Sequence, residues 1–277
     1  MITGALRLAA FDVLRALGSW RWFLVPPVFF VAGWLGADNA AYNYATQTPR
    51  HANFWDASLT MMTDPSAIVF AFVLGFVIVA GDLYVRDRSS GTAAMTLLRS
   101  PSRAIWWAAK ILALGPLALV FSILAFLSAL AAGAVRLPVS WRWSPASRIP
   151  WDSGDAIYPS FGDLPAPLFL LLVALYTALV LWAVGAVVVA ISALYPRLVT
   201  PLSVGLAWAL VGTPLVAPLV FRRGVGILDP EYQLTYVVHF GSRGFAATPW
   251  PVSFVVIVAA LVLALAVGVW RLRQADM

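Results

Sequence analysis

The chain contains 277 residues, of which 62% are hydrophobic and only 11% are charged. Soluble domains carry about 25% charged residues, so this composition, with a mean hydropathy of +0.88, excludes an ordinary water-soluble globule. The formal charge of +6 does not indicate a nucleic-acid partner, because the basic residues cluster at the borders of apolar runs, where they set topology and meet anionic lipid. Cysteine is absent, which excludes disulfide bonds and thiol chemistry.

Residues 1–21 predict an amphipathic helix that lies in the membrane interface. Their apolar side chains recur every three or four positions, which places them on one face of a helix, with Asp12 near its border. The alternative is an N-terminal extension of the first span. A signal peptide is not predicted, because the continuous apolar core and the cleavage site are missing. The apolar face consists of Ile2, Leu6, Ala9, Val13, Leu17 and Trp20.

Long apolar runs follow along the rest of the chain. A helix needs about 20 apolar residues to cross a bilayer, and its backbone polar groups must be paired within the segment. The sequence therefore predicts an all-α polytopic membrane protein in which residues 1–277 form one transmembrane domain. The six predicted spans cover residues 20–37, 65–84, 104–135, 164–196, 198–221 and 247–271.

The basic residues predict that both termini are cytoplasmic. With the N-terminus inside, the cytoplasmic side holds 11 of the 18 Lys and Arg residues, and the outer side holds seven. Cytoplasmic loops are the ones enriched in Lys and Arg. We therefore expect a multi-pass protein of the cell membrane.

The tryptophans are expected to form interfacial belts, as amphipathic rings do at the headgroup level. Trp182 and Trp208 are exceptions deep within their runs, where they either pack between helices or line a substrate path. The inner belt is predicted to contain Trp20, Trp22, Trp106, Trp107 and Trp270, and the outer belt Trp34 and Trp250.

The outer connections differ in character. Residues 38–64 are polar, whereas residues 222–246 are apolar enough to predict a re-entrant element. Pro214 and Pro218 precede that element and predict a break in the fifth span, because proline removes a backbone hydrogen bond and bends a helix.

Catalysis on this chain is not expected. The only histidines are His51 and His239, in outer connections, and the chain has no protease, metal or Walker A motif. Charge-free apolar runs also disfavour an ion-coupled carrier, which places ionisable groups at mid-membrane depth. Active transport would then need ATP hydrolysis by another chain.

A charged stretch from Gly81 to Arg103 separates the second and third apolar runs, and residues 85–103 are predicted to face the cytoplasm. The stretch contains Asp87-x-x-x-Gly91-Thr92, the pair Leu97-Leu98 and Ser100-Pro101-Ser102-Arg103, and Lys110 follows it. With six spans, cytoplasmic termini, an N-terminal amphipathic helix and a re-entrant element, this pattern resembles the ABC-2 type transporter permeases. The family more often carries Glu at the position of Asp87.

The resemblance implies the ABC-2, or type V exporter, fold and a docking role for the charged stretch. Asp87 would accept charge-assisted hydrogen bonds from an ATP-binding subunit or from the N-terminal helix. Gly91 would allow a turn, Thr92 would cap the next helix, and Pro101 would end it. A solvated loop whose arginines only set topology is the alternative. The implied ATPase-docking residues are Asp87, Arg88, Gly91, Thr92, Met95, Leu97, Leu98, Arg99, Pro101 and Arg103.

The resemblance also implies the function and the partners. The chain would be the permease subunit of an ATP-driven exporter for a hydrophobic small molecule, lipid or peptide, with drug or antibiotic export ranked first. Two copies of an ATP-binding subunit would carry ATP and Mg²⁺, and a second permease subunit, identical or homologous, would complete a dimer. The alternatives are an ATP-independent carrier or channel and a membrane assembly or signalling subunit that transports nothing.

Overall fold

A computed structural model describes residues 2–47, 52–64, 66–100, 102–144, 164–197, 199–211, 233–234 and 250–274. All regular structure in these ranges is helical, which confirms an all-α polytopic membrane protein. Five helical stretches there are long and apolar enough to cross a bilayer, namely Trp20–Tyr42, Ala67–Ser89, Arg103–Arg136, Ala166–Leu194 and Trp250–Gln274.

The first half of the chain forms seven α-helices in sequence. A 3-10 helix at Trp20–Leu24 leads into α2, and a π-helix at Ala67–Leu74 leads into α4. The α-helices are α1 (Ile2–Leu17), α2 (Val25–Gln47), α3 (Phe54–Met61), α4 (Gly75–Ala80), α5 (Leu83–Ser89), α6 (Thr92–Arg99) and α7 (Arg103–Arg136). The second half contributes α8 (Ala166–Leu194), α9 (Thr200–Val211) and α10 (Trp250–Gln274).

Helix α7 is the centre of the bundle. It is 34 residues long, begins at the Ser102 N-cap, and contacts α1, α2, α3, α8 and α10. Its neighbours include Trp182 of α8, whose indole Nε1 donates to the Ile111 carbonyl at 2.7 Å. Because α7 touches both the N-terminal and the C-terminal helices, a displacement of α7 would reach most of the molecule.

Two glycines permit close approach of other chain segments. A Cβ on Gly268 of α10 would lie 1.8 Å from the Trp107 ring of α7, whose Nε1 donates to the Ala264 carbonyl at 3.1 Å. A Cβ on Gly36 of α2 would lie 2.5 Å from the Ala57 carbonyl oxygen. Small residues at such crossings let helix backbones pack tightly in a membrane, where packing replaces the hydrophobic effect as the driving force.

The expectation of a polar first connection over residues 38–64 is wrong in part. Helix α2 continues to Gln47, and α3 is a buried helix that packs between α2 and α7. Asn53 caps α3, and its backbone N–H donates to Asp56 Oδ2 at 2.7 Å in a reciprocal capping box. The polar residues seen in the sequence therefore serve a helix terminus.

The prediction of an inner aromatic belt is also wrong for three of its five tryptophans. Trp22, Trp106 and Trp107 are buried in the protein core, whereas Trp20 and Trp270 are exposed. Trp106 and Trp107 make edge contacts with the Tyr84 ring, at centroid distances of 6.0 and 5.6 Å. Sequence position near an interface does not show whether an indole faces lipid or the bundle.

The predicted fifth span is only partly described. Helix α9 covers its first half and packs against α8, α4 and the π-helix, with Gly205 facing the Val77 side chain. Pro214, Pro218 and the Trp208 side chain lie outside the described residues, as does nearly all of the predicted re-entrant element at 222–246. Six spans therefore remain a prediction.

Candidate functional site

The charged stretch folds as two short helices joined by a glycine turn. Helix α4 ends at Ala80, α5 begins after Asp82, and Gly91 separates α5 from α6. Gly91 has a φ of 71°, a left-handed conformation that side chains rarely adopt. The turn predicted at Gly91 is present, and conformation rather than crowding requires the glycine, since a Cβ there would meet nothing within 4 Å.

The capping role predicted for Thr92 is wrong. Gly91 occupies the N-cap, no side chain caps α6, and Thr92 is the first helical residue. The Thr92 hydroxyl lies 2.7 Å from the Ser90 hydroxyl instead. A cap needs an extended backbone at its own position, and here the left-handed turn precedes Thr92.

Four charged side chains from α1, α5 and α7 meet at one cluster, which we call the charge cluster: Asp12, Arg15, Asp87 and Lys110. The Lys110 Nζ donates to Asp12 Oδ1 at 2.7 Å and also to Asp87 Oδ2. Arg15 donates to the other Asp87 oxygen. Asp87 thus links the N-terminal helix α1 to α7, with one carboxylate oxygen bound to each.

The charge cluster is removed from solvent. Lys110, Asp87 and Asp12 are 1%, 2% and 5% exposed, whereas the Arg15 side chain is 29% exposed. Burial raises the pKa of Asp12, and the adjacent Lys110 ammonium opposes that effect. The formal charges of the four groups cancel, and the Trp106 ring lies 5.2 Å from the Lys110 Nζ. Pairing of this kind is what allows ionised groups to stay buried.

Further contacts tie the ends of the charged stretch to the bundle. The Arg21 Nη1 donates to Asp82 Oδ2 at 2.8 Å and to the Ile78 carbonyl at 2.9 Å. Arg103 Nη1 donates to the Leu272 carbonyl of α10 at 2.9 Å. The stretch therefore contacts α1, α7, α10 and the 3-10 helix through charged or polar bonds.

Helix α6 is held by a hydrogen bond from α7 and by apolar side chains. The Trp106 Nε1 donates to the Thr96 hydroxyl at 3.0 Å, Ala93 is buried in the core, and Leu97 packs partly buried against it. Met95 is 60% exposed. The side chains of Leu98 and Arg99, and all of Pro101, lie outside the described residues.

Two arginines that flank Asp87 on α5 are exposed. These are Arg86 and Arg88, and the Arg88 Nη1 lies 3.4 Å from the Tyr84 hydroxyl. The α5–α6 pair is thus bound to the bundle through Asp87, and it also carries two exposed guanidinium groups and the exposed side chain of Met95.

Sequence reasoning missed how α1 takes part. The predicted apolar face put Asp12 at its border, but the buried residues of α1 are Ala9, Asp12 and Ala16, while Leu6 and Trp20 are exposed. The available signal was a face of small residues with one carboxylate at its centre. A small face lets a helix approach closely, and a carboxylate there requires a cation opposite.

A metal centre has no support in the described ranges, where no group of three His, Cys, Asp or Glu residues could hold an ion. Trp182 packs against α7, and a Cβ on Gly115 would lie 3.3 Å from its ring. A role for Trp182 in a substrate path stays a prediction. No family model matches the chain, and no curated protein matches it.

Proposed function

We propose that this chain is the permease subunit of an ATP-driven ABC exporter, with both termini in the cytoplasm. A separate ATP-binding subunit, in two copies, supplies ATP and Mg²⁺, and a second permease subunit completes the dimer. The cargo is a hydrophobic small molecule, lipid or peptide. The motif resemblance suggests the class, and the α5–α6 pair supports it.

The supporting observation is that the α5–α6 pair combines a buried carboxylate with exposed arginines. Asp87 is bound by Lys110 and Arg15, while the neighbouring Arg86 and Arg88 are exposed. A solvated loop that served topology alone would need neither a buried carboxylate nor a lysine buried opposite it. An acidic cleft on an ATP-binding subunit complements the two guanidinium groups.

This geometry refines the role of Asp87. Asp87 is 2% exposed and both of its carboxylate oxygens are bound within the chain, so Asp87 passes the movement on and does not contact the ATP-binding subunit. Closure of that subunit pushes α5 and α6, and Asp87 carries the displacement to α1 and α7. Docking then belongs to Arg86, Arg88 and Met95.

Two variants separate docking from transmission. The chain is co-purified with a candidate ATP-binding subunit, and ATP hydrolysis is measured with and without a hydrophobic cargo. Arg86→Glu with Arg88→Glu should lose the complex, because like charges would then face the acidic cleft. Asp87→Asn should keep the complex and lose cargo stimulation of hydrolysis.

The matched control is Arg7→Glu, which reverses an exposed charge on α1 about two helical turns before Arg15. It should leave both complex and hydrolysis unchanged. An Arg86/Arg88 double variant that co-purifies and hydrolyses ATP like the parent would contradict the docking role. An Asp87→Asn variant with full cargo stimulation would contradict transmission.

One observation favours a second candidate, an ion-gradient carrier. Lys110 lies inside a membrane-spanning helix and is fully buried, so the expectation of charge-free spans does not hold for α7. Intramembrane ionisable groups mark ion pathways by default. However, Lys110 lies only about 10 Å along the axis from the first residue of α7, at about 1.5 Å per residue.

That position is near the end of the helix rather than at the bilayer centre, and it favours coupling over ion transport. Liposomes that contain only this chain test the point. Cargo uptake or release driven by a pH gradient, and abolished in Lys110→Gln, would establish the carrier. If the parent shows no gradient-driven flux, the carrier is contradicted and the ATP-driven permease is retained.

A further inference from the structure

A cavity of about 140 Å³ lies between the 3-10 helix, α2, the π-helix, α4 and α7. Its floor consists of Phe29 and Phe121, which are each 1% exposed and make an edge contact with a ring-centroid distance of 5.4 Å. Its rim includes Val28 and Phe70, which are 47% and 51% exposed. The cavity therefore opens sideways from the bundle, toward the hydrocarbon that surrounds a membrane-spanning helix.

One polar group lines this cavity. Arg21 uses its Nη1 for Asp82 and for the Ile78 carbonyl, and its Nη2 and Nε have no hydrogen-bond partner among the described residues. The Arg21 side chain is 34% exposed. Arg21 thus has guanidinium donors without a partner in the described part of the chain and borders a cavity whose other lining residues are apolar.

We propose that this cavity binds one anionic phospholipid from the leaflet that borders α1. A segment of one acyl chain would occupy the apolar cavity, and the Arg21 donors that have no partner in the described ranges would bind the headgroup phosphate. Planar guanidinium groups bind phosphate oxygens through paired hydrogen bonds. Basic pockets between membrane helices are also the known setting for anionic headgroups.

The shape of the site favours a lipid over a protein helix. The cavity is concave and small, so it accommodates a flexible chain but not the ridge of a packed helix. Trp20 and Phe23, beside Arg21, are 67% and 82% exposed, as expected where the chain meets the headgroup region. A charged group beside an apolar cavity near the headgroup region matches a lipid, which has a polar head and an apolar tail.

The test uses the purified full chain in detergent. Native mass spectrometry follows titration with phosphatidylglycerol and, separately, with phosphatidylcholine of the same acyl chains. The parent should bind one phosphatidylglycerol per chain about tenfold more tightly than phosphatidylcholine, because both lipids offer the same phosphate but the choline ammonium of phosphatidylcholine is repelled by Arg21. Arg21→Gln should remove that preference.

Asp82→Asn distinguishes a binding role of Arg21 from a structural one. Both Arg21→Gln and Asp82→Asn break the same ion pair, so a purely structural effect would weaken lipid binding in both. A binding role predicts opposite signs, because Asp82→Asn leaves Arg21 with an uncompensated charge and should tighten phosphatidylglycerol binding. Weakening in both variants would overturn the proposal.

A pair of variants on α2 tests the apolar part without touching Arg21. Val28→Phe should fill the mouth of the cavity and weaken both lipids. Val31→Phe is the matched control, since Val31 is 59% exposed on the same helix but does not line the cavity. Equal binding in these two variants, or equal affinity of the parent for both lipids, would show only non-specific annular lipid and would overturn the proposal.

Discussion

The two ends of α7 handle charge in opposite ways. At its first turns, Lys110 is buried and bonded to Asp12 and Asp87. At its last turn, Arg136 bonds through its Nε to Asp38 Oδ1 at 2.9 Å, and the two side chains are 46% and 41% exposed. Arg136 also lies 4.8 Å from the Trp34 ring. Each end has oppositely charged partners from other helices, but only one end excludes water.

The difference shows that the contribution of a charged side chain to stability depends on its burial and not only on the presence of an oppositely charged partner. An exposed pair contributes about 0–1 kcal/mol because water competes for both partners. Removal of one partner from a buried cluster costs about 3–5 kcal/mol, since the remaining charge is then neither paired nor hydrated. Four mutational experiments test this contrast, from the largest expected effect to the smallest.

Lys110→Met should destabilise the protein by about 3–5 kcal/mol, because Asp12 and Asp87 then face each other as buried anions. Thermal unfolding in detergent, followed by tryptophan fluorescence, measures the loss. Lys110→Met combined with Asp12→Asn and Asp87→Asn should recover part of it. An unfolding midpoint of Lys110→Met equal to that of the parent would remove the distinction between the two ends.

Asp56→Asn should change the pH dependence of stability at the end of α7 that contacts α3. Burial raises the pKa of Asp56 from 3.8 to about 6. The folded state therefore holds a proton that the unfolded state has released, and the free energy of unfolding falls as pH rises from 4 to 6. By neutral pH this costs about 3 kcal/mol, at about 1.4 kcal/mol per pKa unit.

Asparagine can accept the Asn53 N–H bond without ionising. Asp56→Asn should therefore match the parent at pH 4 and be more stable at pH 7.5, as measured by unfolding midpoints across that range. Asp38→Asn, which removes an exposed carboxylate, is the control for a general loss of negative charge. A variant curve parallel to that of the parent would contradict the role of Asp56.

Thr96→Val should loosen α6 by about 1 kcal/mol, because the Trp106 N–H loses its acceptor. Thr96→Ser keeps the hydroxyl and serves as the matched control. Hydrogen exchange of the α6 amides measures local opening, which should increase in the valine variant only. Equal protection in both variants would show that the apolar contacts of Ala93 and Leu97 are sufficient to hold α6.

Asp38→Asn and Arg136→Gln should each cost at most about 1 kcal/mol, and the cost should shrink in high salt. Unfolding midpoints at low and high ionic strength measure both effects. A loss of stability that is insensitive to salt and as large as that of Lys110→Met would mean that exposure does not explain the difference between the two ends of α7.

Hydropathy predicted the helical class well, because a span must be both apolar and internally hydrogen-bonded. Hydropathy gave wrong predictions where polar groups are bonded inside the protein instead of being in contact with water. Asn53 and Asp56 read as loop residues, yet they cap a buried helix. Trp106 and Trp107 stand where interfacial anchors are expected, yet their indole N–H groups bond within the bundle.

The resemblance implied that the N-terminal helix could donate to Asp87, and Arg15 makes that bond. The rest of the charge cluster lay beyond sequence reasoning for a geometric reason. Asp12 and Lys110 are separated by 98 positions, and Asp87 and Arg15 by 72. No local periodicity relates such residues. The motif around Asp87 indicated that the carboxylate would have a cationic partner, and only the packing of α1 against α7 determined which cations those are.

The sequence by itself determined that this protein resides in a membrane and where its long apolar helices lie, because hydropathy and helix signals act over short stretches of chain. It also marked residues 81–103 as the polar exception. The tertiary structure decided which charges are buried, which tryptophans face inward, and that α3 enters the bundle. Those outcomes depend on how helices distant in the chain pack together, and burial of a side chain is a property of the whole assembly of helices.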